Sequence, residues 1–161
     1  MDQSQKDSSL IIKKAMDTAI RFIQYRPRST NEVKQKLLLK GYNGDLVQTI
    51  ITALTESLIL NDAVYARLFA VERAQSKNLG KSRVKMELKQ KGIADDLIAE
   101  AMAEAFPEGT EAVGAMNLLE KKYKTGISKE GEQKAIEYLI RKGYGFGEAK
   151  KAVKEYSQSD R

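Results

Sequence analysis

The chain has 161 residues, with 28 Lys+Arg against 22 Asp+Glu, a formal net charge of +6, and no Cys, His or Trp. The missing Cys and His exclude a disulfide framework, thiolate chemistry, zinc centres, and Ser-His-Asp or Cys-His catalysis. An apolar content of 42% can build a core, so a folded chain is expected, and the length suits one domain or a few small modules.

No apolar run approaches the roughly 18–20 residues of a membrane span. Leu10-Ile11-Ile12 stops at Lys13, too soon for a signal peptide. A soluble, cytoplasmic, monomeric protein without membrane contact is expected, and residues 1–9 and 157–161 read as frayed ends. With only Pro27 and Pro107, long stretches are free to be helical.

Ile12, Met16, Ala19, Ile20 and Ile23 fall on one face of a first helix. Arg26-Pro27 ends it, because the residue before a proline avoids the helical region. Ser29 with Glu32 forms a capping box that opens a second helix through Val33 and Leu37, closed by Lys40-Gly41. Leu46, Val47, Ile50, Ile51 and Leu54 make the stripe of a third. Period-two alternation is absent, so the fold class is all-α.

Lys-Gly recurs at Lys40-Gly41, Lys91-Gly92 and Lys142-Gly143, with a spacing of 51 residues each time. Aligned on these pairs, Leu37, Leu88 and Leu139 coincide. So do Val33, Val84 and Ala135, and so do Ile51, Met102 and Val153. A fixed period with matched apolar positions marks a repeat protein. The expected architecture is three tandem three-helix repeats, over residues 10–61, 62–106 and 111–156, in an elongated, curved array. Pro107-Glu108-Gly109-Thr110 is the clearest linker.

Residues 1–62, 63–106 and 107–161 each carry a net charge of +2, yet one segment stands apart. Residues 73–91 hold seven cations (Arg73, Lys77, Lys81, Arg83, Lys85, Lys89, Lys91) against Glu87 alone. Lys81, Lys85 and Lys89 recur every four residues and stack on one helix face, with Val84 and Leu88 on the opposed, buried stripe. An anionic partner would relieve their mutual repulsion; the ordinary alternative is a solvated basic face. Arg26, Arg28, Lys34 and Lys36 form a smaller cluster at the same point of the first module. The basic run contains Gln75, Asn78 and Gln90 but no aromatic, so phosphate or acidic-protein contact is expected rather than base readout.

Catalytic alternatives are thin. Asp95-Asp96 and Asn61-Asp62 stand at helix starts, where they cap free N–H groups. The glycine-rich stretch from Gly143 to Gly147 lacks the Gly-Lys-Ser/Thr ending of a phosphate loop and reads as a flexible inter-helix turn. The seven tyrosines read as core or rim packing. No cofactor or metal is expected.

Tyr25-Arg26-Pro27-Arg28-Ser29, then Glu32 and Leu37-x-x-Lys40-Gly41, resembles the opening of the bacterial regulatory RecX family. Leu58-x-x-Asn61-Asp62-x-x-Tyr65-Ala66, then Gly80-x-x-Arg83-x-x-x-Glu87-Leu88-x-x-Lys91-Gly92-Ile93, is similar to its continuation. The resemblance implies three tandem three-helix repeats and a non-enzymatic regulator in DNA repair and recombination and the SOS response. It implies a partner, the RecA recombinase filament on single-stranded DNA, whose groove such proteins occupy. Filament growth, ATP hydrolysis and strand exchange are then limited. Matched residues are Arg26, Arg28, Arg83 and Lys91; the charge pattern adds Arg73, Lys77, Lys81, Lys85 and Lys89. Direct DNA contact through phosphates is also open, and a stand-alone helix-turn-helix-like DNA-binding protein is the competing reading.

Overall fold

The computed structural model describes residues 3–159, and the side chains of residues 5–158. Among the described residues there are nine α-helices and no strand. In chain order they are α1 (Gln3–Tyr25), α2 (Thr30–Leu39), α3 (Gly44–Glu56), α4 (Asp62–Val71), α5 (Lys81–Gln90), α6 (Asp95–Ala105), α7 (Thr110–Lys122), α8 (Glu132–Arg141) and α9 (Phe146–Ser159). A π-helical turn, Glu72–Ser76, continues α4, and a 3₁₀ turn, Lys129–Gly131, precedes α8.

The 51-residue period is visible in the backbone. Helices α2, α5 and α8 are each ten residues long and start at Thr30, Lys81 and Glu132, 51 residues apart. After each, the glycine of the Lys-Gly pair takes a left-handed φ: +86° at Gly41, +74° at Gly92 and +99° at Gly143. The α2 and α8 ends are Schellman motifs, with Tyr42 N–H donating to Leu37 O and Tyr144 N–H to Leu139 O. The matched apolar positions Val33, Leu37, Val84, Leu88, Ala135 and Leu139 are all fully buried. In the third register set Ile51 and Val153 are buried, whereas Met102 is half-buried.

Two ends differ from expectation. Helix α1 begins at Gln3, so residues 3–9 are helical rather than frayed; residues 1–2 lie outside the described residues. Helix α9 continues to Ser159, with 160–161 outside them. Residues 5–9 are exposed, but each of these ends is propagated from a packed helix, which avoids the cost of nucleation.

The chain divides into two compact units. The first comprises Met1–Tyr65 with Lys91–Ile93. Its core joins Ala15 and Ala19 of α1, Val33 and Leu37 of α2, and Val47, Ile50, Ile51 and Leu54 of α3, closed by Leu60. The second comprises Ala66–Gln90 with Ala94–Arg161. There Leu118 and Leu119 of α7, Ile136 and Leu139 of α8, and Ala149 and Val153 of α9 form one cluster around Tyr144. Helices α5 and α6 also pack on each other in this unit.

Each unit contains one copy of the same joint. In the first, the Ser29 hydroxyl, at the N-cap of α2, donates to Lys91 O at 2.7 Å. In the second, Gly80 N–H, just before α5, donates to Lys142 O at 2.9 Å. Beside each bond, a carboxylate accepts from the first backbone N–H of the helix. Asp62 Oδ1 takes Thr30 N–H at 2.8 Å, and Glu111 Oε1 takes Lys81 N–H at 3.1 Å.

This corrects the expected role of Asp62, which caps α2 rather than its own helix; Asn61 Oδ1 caps α4 by accepting from Val64 N–H. The N-cap of α6 is Ala94, without a side-chain bond, so Asp95 and Asp96 face the helix dipole only from its first turn. The glycine-rich turn is also less free than expected. Gly143 and Tyr144 are buried, and Gly143 lies so close to Gly80 that a Cβ on either would overlap the other segment.

Candidate functional site

The nine candidate cations separate by unit. Arg26, Arg28 and Lys91 belong to the first, and they converge on one carboxylate. Glu32 Oε2 accepts from Ser29 N–H, completing the capping box, while Oε1 meets Arg26 Nη2 at 2.9 Å and Lys91 Nζ at 3.0 Å. Arg28 Nη1 stands 3.7 Å from the same oxygen. Its guanidinium lies 3.8 Å over the Phe22 ring, and the side chain is 10% exposed. Burial pushes the Glu32 carboxyl up, but the Ser29 N–H and the Lys91 and Arg26 charges outweigh it and hold it below its ordinary value. Tyr65 in the same unit is pushed up to about 12, first by burial and then by the Glu32 charge.

The second unit holds Arg73, Lys77, Lys81, Arg83, Lys85 and Lys89. The α5 helix places Lys81, Lys85 and Lys89 on one side, and they line a groove of about 330 Å³. Its other wall is α6, with Asp95, Ile98, Ala99 and Met102. The groove thus has an ammonium row facing a mostly apolar wall. Val84 and Leu88, behind it, are fully buried and fix the helix rotation.

The basic segment is not electrostatically alone, as its sequence suggested. Carboxylates from outside residues 73–91 reach it: Glu111 pairs with Lys81 at 3.2 Å, Asp95 with Lys89 at 3.3 Å, and Glu72 with Arg73 at 3.1 Å and Lys77 at 4.0 Å. Glu87, within the segment, accepts from both Arg73 and Arg83. Among the described residues, Lys85 is the one candidate cation without an ion pair. These contacts could not be read from composition, because Glu111 and Asp95 reach α5 only through folding. The Arg83–Glu87 pair was legible as an i, i+4 spacing. The Lys81 and Lys89 side chains remain 56% and 54% exposed, so their pairs are each worth no more than about 1 kcal/mol and exchange readily for another anion.

Other chemistry is scarce. Among the described residues no group of three or more His, Cys, Asp or Glu could hold a metal ion. No helix among them is long and apolar enough to cross a membrane.

Helices repeated in threes, with a basic second helix in the middle set, define a protein of tandem three-helix modules. Two family models match in tandem: "RecX, first three-helix domain" over residues 15–54 and "RecX, second three-helix domain" over residues 61–102. The regulatory protein RecX of Amycolatopsis mediterranei (strain U-32) is 30% identical over 147 residues, covering 89% of this chain and 83% of that protein. That of Bacillus subtilis (strain 168) is 35% identical over 137 residues, covering 84% of this chain and 52% of its own length. That of Bacillus pumilus (strain SAFR-032) is 33% identical over 147 residues, covering 89% and 56%. The chain therefore spans about half the length of these Bacillus relatives. The crystal structure of RecX from Lactobacillus salivarius has the same fold, with a TM-score of 0.76 at 22% identity over 91% of this chain and 97% of that one. The chain belongs to the RecX family of regulatory proteins.

Proposed function

We propose that this chain regulates the RecA recombinase by binding its filament on single-stranded DNA, and that the exposed lysines of α5 make the contact. It acts in the cytoplasm by occupancy rather than by catalysis, lowering ATP hydrolysis, filament growth and strand exchange. The observation that carries the reading is the row Lys81, Lys85 and Lys89 along one groove, solvent-facing and held by buried Val84 and Leu88, in a chain of this family. Family membership supports the regulatory role, and the ammonium row supports an anionic target. Arg26, Arg28 and Lys91 serve this function indirectly, since Glu32 already engages all three.

The test is the DNA-dependent ATPase of the cognate recombinase at ~150 mM salt, where screening over ~8 Å weakens loose electrostatic binding. Inhibition at concentrations too low to bind bare DNA is expected. The triple variant Lys81→Glu/Lys85→Glu/Lys89→Glu should lose inhibition while keeping its helical circular dichroism. Undiminished inhibition by that variant would make the α5 face an ordinary solvated surface. Equal potency on bare DNA, without recombinase contact, would favour a stand-alone DNA-binding protein.

A further inference from the structure

A second cationic pair, Arg73 and Arg83, lies on the same unit and outside the lining of the lysine groove. Glu87 is 17% exposed, and its two oxygens are divided between two arginines. Arg73 Nε donates to Oε2 at 2.9 Å and Arg83 Nε donates to Oε1 at 2.9 Å. One carboxylate therefore holds two guanidiniums side by side, each by its inner nitrogen. Arg73 is fixed further by the π-helical turn, where Lys77 N–H donates to Glu72 O, and by the Phe69 ring, 4.6 Å beneath its guanidinium. Its Nη1 also donates to Glu72 Oε2 at 3.1 Å, a half-exposed pair that another anion can displace. Among the described residues, Nη2 of Arg73 and both terminal nitrogens of Arg83 carry no hydrogen bond.

We propose that Arg73 and Arg83, aligned by Glu87, form a two-arginine clamp for the phosphodiester oxygens of a nucleic-acid strand. Planar guanidinium forks suit a phosphate, which offers two non-bridging oxygens to two donors at once. A carboxylate already occupies the inner edge of both arginines, so the outer edges are left for a second, larger anion. Glu87 is a positioning residue here, and Arg73 and Arg83 are the contacts. The clamp deepens the proposed function by assigning the nucleic-acid strand of the filament to these residues, but it is testable without any recombinase.

The experiment is fluorescence anisotropy of a labelled oligodeoxythymidine of about 20 nucleotides, long enough for one small site, with no recombinase present. Glu87→Gln decides by sign. It raises the net charge by one, so a merely cationic face would bind the strand more tightly. A clamp that has lost its alignment should bind it at least about threefold more weakly. Arg73→Lys and Arg83→Lys keep the charge and remove the fork, and each should weaken binding by a similar factor. Melting followed by circular dichroism checks folding, and if Glu87→Gln unfolds, the two Arg→Lys variants decide. A labelled poly-glutamate peptide is the control for acidic protein. The proposal is overturned if Glu87→Gln binds the oligonucleotide as tightly or more tightly, or if both Arg→Lys variants match the parent. It is equally overturned if only poly-glutamate binding falls. Inhibition of the recombinase that persists in these variants would leave the α5 reading standing while the clamp fails.

Discussion

The joints of the two units do the same task with different chemistry. In the first, a fully buried hydroxyl, Ser29, reaches the Lys91 carbonyl, and Glu32 gathers three cations around the contact. In the second, Gly80 offers its own N–H to the Lys142 carbonyl, and the position 51 residues after Glu32 is Arg83. The ion cluster is replaced there by close backbone packing and by Tyr144, whose hydroxyl donates to Asn78 O at 2.8 Å. A side-chain cap and a charge cluster thus solve the same geometric problem as two facing glycines and a buried phenol. The first solution leans on an ion cluster around one carboxylate, and the second leans on two glycines in backbone contact.

The largest expected effect comes from breaking the glycine solution. Gly80→Ala or Gly143→Ala should destabilise the protein by about 3 kcal/mol or more, because the new Cβ overlaps backbone that cannot rotate away. Gly41→Ala is the control. Its φ of +86° is left-handed like the +99° of Gly143, but a Cβ there meets nothing within 4 Å, so only the conformational cost of about 1 kcal/mol remains. Similar melting curves for Gly41→Ala and Gly143→Ala would erase the distinction. Next is Ser29→Ala, which loses the α2 cap and strands the Lys91 carbonyl; about 2 kcal/mol is expected from denaturant unfolding.

A smaller effect reads the first joint by pH. The Glu32 pKa is lower folded than unfolded, so its contribution is present above the unfolded value and lost as pH falls through the folded one. Stability should therefore decline below about pH 4.5, and Glu32→Gln should flatten that decline. At the alkaline end Tyr65 has the opposite sign. Its pKa is raised from 10.0 to about 12, so the stability it contributes fades as pH climbs between those values, and Tyr65→Phe should remove that part. Burial raises Tyr144 too, so the second unit shares this alkaline limit. Lys77→Ala should change the melting free energy by less than about 0.5 kcal/mol, since its pair with Glu72 is long and exposed.

Helix content and the repeated second helix were legible because apolar spacing and Lys-Gly stops act locally. Ser29 and Glu32 announced their capping box for the same reason. What Asp62 and Glu111 do was not legible, since each caps a helix some 30 residues earlier in the chain. The basic face was half legible. Its spacing and rotation followed from Val84 and Leu88, but its partial neutralisation did not, because Asp95 and Glu111 approach α5 only once their own helices have packed. The π turn at Glu72–Ser76 left no mark in composition, as it inserts one residue into an otherwise helical pattern.

Both joints end on a lysine carbonyl, not on a lysine side chain. A carbonyl belongs to every amino acid, so mutation cannot delete it. Duplicated segments can therefore drift apart in identity while the acceptor survives untouched, provided the glycine after it still turns the chain. Ancestry of this kind persists in main-chain atoms after the letters that once recorded it have been overwritten.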